Sequence, residues 1–95
     1  MTREAAVATA LAEDGRARVT RFEFAPGAET GWHIHEMDYV IVALSLCQMR
    51  LEEPGGVMRD VVIEAGQAYT RQSGVEHNVI NNGDTAMAFV EVELK

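Results

Sequence analysis

Gly66-Gln-Ala-Tyr-Thr-Arg-Gln-Ser-Gly-Val-Glu-His-Asn-Val-Ile-Asn81 sets two short β-type runs, Gln67–Arg71 and His77–Asn81, on either side of a Ser73-Gly74 turn. His77 opens the second run, just after that turn. Outward from this stretch the same rhythm recurs. Pro26-Gly27, Gly31, Pro54-Gly55-Gly56, Gly66 and Asn82-Gly83-Asp84 supply the fixed or positive φ that sharp reversals need. Between them lie further β-type runs: Ala17–Phe24, Thr30–His35, Asp38–Leu44, Leu46–Glu52, Val57–Glu64 and Ala86–Glu93. Turns at such short spacing predict an all-β sandwich or barrel. Glu4–Ala12 reads either as a short alanine-rich helix or as an edge strand carrying Val7, Thr9 and Leu11 on one side.

The other two histidines, His33 and His35, are one residue apart within a predicted strand, so the period of two puts both imidazoles on one face. Their Cα atoms lie about 6.6 Å apart, from which two rings converge on one ion at metal–nitrogen distances of about 2.1 Å. Taken alone, such a pair reads equally as two hydrogen-bonded histidines on a hairpin.

Together the two regions resemble the cupin superfamily, whose motifs are G-x(5)-H-x-H-x(3,4)-E-x(6)-G and G-x(5)-P-x-G-x(2)-H-x(3)-N. Gly27, His33 and His35 match the start of the first motif; Gly66, Gly74, His77 and Asn81 match the second, with Gln72 in place of its proline. The resemblance implies a single jelly-roll β-barrel (double-stranded β-helix) over residues 1–95. It also implies one divalent transition metal, among Fe, Ni, Zn, Mn and Cu, held by His33, His35 and His77. No glutamate stands at the first motif's carboxylate position. The favoured alignment has the loop one residue short, so that Asp38 takes that place as a fourth metal residue and Ser45 the closing glycine's; Asp38 then ligates directly, acts through a water, or orients an imidazole. Otherwise Asp38 is an ordinary solvated turn residue and Tyr39 occupies the position.

Tyr39, Tyr69 and Phe89 fall on strands that face such a cavity and are the substrate-pocket candidates. Trp32, alternating with His33, points the other way, towards a second sheet or a subunit interface. Cys47, the only cysteine, reads as a buried inert thiol, and Glu52, Glu53, Glu64, Glu91 and Glu93 read as a solvated acidic face.

Length and charge bound the function. The 95 residues allow one domain, and 15 acidic against 8 basic residues give a net charge of −7, which disfavours nucleic acid and anionic membrane surfaces as partners. No apolar run approaches a membrane span, Met1–Glu4 lacks the pattern of a signal peptide, and a lone cysteine forbids an internal disulfide. A cytoplasmic protein is expected. With all three histidines on metal, no serine or cysteine has a histidine partner, which argues against triad-type hydrolysis. Two functions remain. One is a metal-dependent enzyme, of Lewis-acid or dioxygenase type, acting on a small organic substrate; small cupins that look like the run Gly31–Val42 include proteins linked to β-alanine degradation. The other is a non-catalytic module binding metal or a small ligand. Small members of the family usually pair, so a homodimer is expected.

Overall fold

Residues 2–95 are described by a computed structural model, in which the turn residues bound nine strands. These are β1 (Val7–Glu13), β2 (Ala17–Phe24), β3 (His33–Ile34), β4 (Asp38–Ala43), β5 (Cys47–Glu53), β6 (Val57–Ile63), β7 (Ala68–Arg71), β8 (Glu76–Asn81) and β9 (Met87–Leu94). A single 3₁₀ turn, Pro54–Gly56, joins β5 to β6. All pairings between strands are antiparallel, in two sheets ordered β1-β2-β9-β4-β7 and β3-β8-β5-β6. This is the jelly-roll arrangement, built as two facing sheets rather than one closed hydrogen-bonded barrel. Among the described residues no helix is long and apolar enough to cross a membrane.

The helical reading of Glu4–Ala12 is corrected: Val7–Glu13 pairs with β2, from Val7↔Glu23 to Glu13↔Arg18, with a bulge between Ala10 and Ala12. A lone short helix has only marginal intrinsic stability, whereas the free edge of β2 offers a row of backbone partners. Val7 and Leu11 remain 60% and 46% exposed, so backbone pairing rather than burial holds this strand.

Between the sheets β4, β5 and β9 alternate inward and outward residues, while β8 is buried along Glu76–Asn81 almost throughout. Tyr39, Ile41 and Ala43 on β4, Met49 and Leu51 on β5, and Met87 and Phe89 on β9 point inward and are buried, with Phe24 from β2. Phe89 packs against both Phe22 and Phe24, at ring-centroid distances of 5.6 and 5.4 Å. The buried Ile, Leu, Met and Phe side chains among them each contribute about 1.5–3 kcal/mol by leaving water. The motif asparagine Asn81 ties the floor together: its Nδ2 donates to the carbonyls of Phe24, Ala25 and Thr85, and its Oδ1 accepts from Gly83 N–H. Trp32 lies half exposed on the outer side, its indole N–H donating to Glu76 at 2.7 Å. Cys47 is fully buried, and burial raises its thiol pKa, which keeps it protonated and inert.

Candidate metal centre

His33 on β3 stands directly opposite His77 on β8, and directly paired residues of an antiparallel ladder project to one face. His35 lies just past β3. Its backbone N–H donates to Val75 O and its carbonyl accepts from Gly74 N–H, both at 2.8 Å. Gly74 sits at φ +93°, a conformation L side chains rarely adopt, so this clamp between His35 and the loop before β8 needs glycine.

The three Nε2 atoms converge. His33 Nε2 is 3.0 Å from His35 Nε2, which is 3.2 Å from His77 Nε2. Nitrogens about 2.1 Å from a common ion at octahedral to tetrahedral angles lie roughly 3.0–3.4 Å apart, so the donor set fits one metal ion. Protonation fits as well. His33 Nδ1 lies 2.8 Å from the Gly31 carbonyl, which only accepts, so Nδ1 carries the proton and the Nε2 lone pair faces the cluster. Burial pushes the pKa of His35 down to about 4 and that of His77 to about 3, leaving both rings neutral near pH 7. His77 Nδ1 is buried without a partner, so no hydrogen bond orients this ring.

The centre opens on a cavity of about 250 Å³ walled by Phe22, Ile41, Met49, Val79 and the two pocket candidates Tyr69 and Phe89. The third candidate, Tyr39, stacks on His35 with centroids 3.8 Å apart and planes 18° from parallel. Its hydroxyl is buried without a partner, and burial raises its pKa. An unsatisfied buried hydroxyl destabilises, so Tyr39→Phe should raise the stability of the chelated protein by about 1 kcal/mol in urea unfolding. A loss of that size instead would show that the hydroxyl has a partner in solution.

Asp38 does not join the histidines. It begins β4 exposed, one residue out of phase with the buried Tyr39, and its Oδ1 accepts from Ser73 N–H at 2.8 Å. The loop is therefore not one residue short; Tyr39 holds the inward position. The carboxylate that does reach the site is Glu91, which corrects its place on a solvated face. It is 9% exposed, lines the cavity, and puts Oε1 3.8 Å from His35 Nδ1; burial raises its pKa to about 7. The alternation Met87, Phe89, Glu91 along β9 was the signal for this.

Residues 20–93 match the sequence profile of the cupin domain. The protein belongs to the cupin family. Over 93 residues this cupin is 48% identical to the β-alanine degradation protein BauB of Pseudomonas aeruginosa, spanning 98% of this chain and 97% of that one. The crystal structure of a cupin domain from Bordetella pertussis superposes with a TM-score of 0.95 at 46% identity, covering 100% of this cupin and 98% of the other chain. An oxalate-binding protein of Thermotoga maritima is 32% identical over 72 residues, 76% of this cupin but 57% of that protein.

Proposed function

We propose that this cupin holds one divalent transition metal on His33, His35 and His77 and presents it to a small anionic ligand in the adjoining cavity. The convergence of three Nε2 atoms at 3.0 and 3.2 Å carries the reading. Bound there, the ion supplies Lewis-acid polarisation at its open coordination positions, and imidazole donors suit Fe, Ni, Zn, Mn or Cu. Three neutral donors, with Glu91 behind His35 as the one carboxyl of the cavity, leave its double charge at most partly compensated, which favours a ligand with an anionic oxygen or sulfur. Relatives named for oxalate binding and for β-alanine degradation support a small acid as that ligand. The protein's own groups do the rest: Gly31 fixes the His33 tautomer, Tyr39 braces the His35 ring, and Phe22, Phe89 and Tyr69 keep the cavity small and dry. Pairing through the open sheet edges as a cytoplasmic homodimer completes the proposal.

Metal analysis of protein purified without an affinity tag tests it, with about one transition-metal ion per chain expected. Chain without metal, whose melting no added divalent ion moves, would rule the reading out. Chelator-sensitive conversion of a small acid would mark an enzyme; metal-dependent binding with no conversion would mark a capture module.

A further inference from the structure

Acidic residues outnumber basic ones 15 to 8, so a basic side chain here rarely lacks a partner. Arg3, Arg16, Arg18, Arg21, Arg50, Arg59 and Lys95 each have a nitrogen within 3.4 Å of a carboxylate oxygen. Among the described residues Arg71 is the one cation with neither an ion pair nor a side-chain hydrogen bond. It is not a free surface residue. On β7 it stands directly opposite Tyr39 of β4 and so shares the inner face with the tyrosine that stacks on His35. It is half-buried and borders a cleft of about 350 Å³ between the edges of β7 and β6, floored by Leu51, Val61 and Ile63. Tyr69 is a wall common to this cleft and the metal cavity.

With its stem half-buried and no carboxylate of the chain on its head group, this guanidinium is free to take an acid from outside the chain. Its planar fork matches a carboxylate through two parallel N–H···O bonds, which a lysine does not reproduce. We propose that Arg71 binds the carboxylate of a small ligand whose second donor, an oxygen or sulfur, reaches the metal. The ligand class is thus a short carboxylic acid with a second donor atom, and the assignment rests on the metal reading above.

Metal-loaded wild type, Arg71→Gln and Arg71→Lys are titrated calorimetrically with glycolate, 3-hydroxypropionate and 4-hydroxybutyrate, each beside its primary amide. At least one acid should bind wild type about tenfold or more tightly than its amide. Arg71→Gln should weaken that acid by roughly 10–100-fold while leaving the amide within about twofold, and Arg71→Lys should recover part of the loss. Metal content and melting temperature should match across the three proteins, since Arg71 has no partner within the chain to lose. Equal acid affinity in wild type and Arg71→Gln, or no preference for acids over amides, would overturn the assignment while leaving the metal site standing. Dissociation of a dimer in Arg71→Gln with unchanged acid affinity would overturn it too, by giving the guanidinium to a subunit contact. Absence of metal from wild type would instead remove the reading beneath it.

Discussion

His77→Ala is expected to abolish the thermal stabilisation that a divalent metal confers on the wild-type protein. A ligand that binds only the folded state at a thousandfold excess over its dissociation constant stabilises by about 4 kcal/mol. For a domain of this size each kcal/mol moves the melting temperature by roughly 4–8 °C, so wild type should rise by about 15–30 °C when metal is added to the chelated protein. His77 supplies one of three nitrogens, and its Nε2 lies 3.2 Å from that of His35. With alanine there, two imidazoles remain and the third donor position has no substitute: Asp38 is turned outward, bound to Ser73 N–H, and Glu91 lies on the Nδ1 side of His35. The substitution also removes a buried nitrogen that has no partner, so the chelated variant should melt close to chelated wild type. Calorimetric scans of both proteins, with chelator and with each candidate metal in turn, check this. A variant that keeps the full metal-dependent rise would place the metal elsewhere.

Strand positions were legible because turn residues announce themselves: Pro26-Gly27, Pro54-Gly55-Gly56 and Asn82-Gly83 bound strands within a residue or two of where they lie. The three histidines were legible because two lie at strand spacing and the third follows a glycine turn, and β3 and β8 bring His33 and His77 face to face. The fourth position was not. Asp38 and Tyr39 are neighbours, and a shift of one residue exchanges inside for outside, so the choice depended on register that β4 acquires only by pairing with β7 and β9. Glu91 was misplaced for the opposite reason: its inward phase was readable from Met87 and Phe89, but its charge outweighed its position. The isolation of Arg71 was invisible, because an unpaired cation is a property of every other ion pair in the fold.

Acidifying the metal-free protein from pH 6.5 to 4.5 is expected to remove about 3 kcal/mol of stability. In the unfolded chain His35 and His77 titrate near 6.5; in the fold burial holds them at about 4 and about 3. Across this window the unfolded chain binds two protons that the native cluster refuses. Glu91 works the other way: burial raises it from 4.5 to about 7, so the fold keeps one proton that the unfolded chain has released. The unfolded state is richer by one proton net, and stability falls with pH at about 1.4 kcal/mol per unit. Below pH 4.5 the unfolded Glu91 takes up a proton, but native His35, at about 4, takes one up over the same range, so the slope stays near one proton before it declines. Urea unfolding of chelated protein at successive pH values measures this slope, and Glu91→Gln isolates its parts. Without the ionisable carboxyl the opposing proton disappears, and the loss between pH 6.5 and 4.5 should approach twice the wild-type value. A slope that is flat in wild type and unchanged in Glu91→Gln would mean that the two imidazoles and Glu91 titrate alike in the fold and in the unfolded chain, and would overturn the buried neutral cluster.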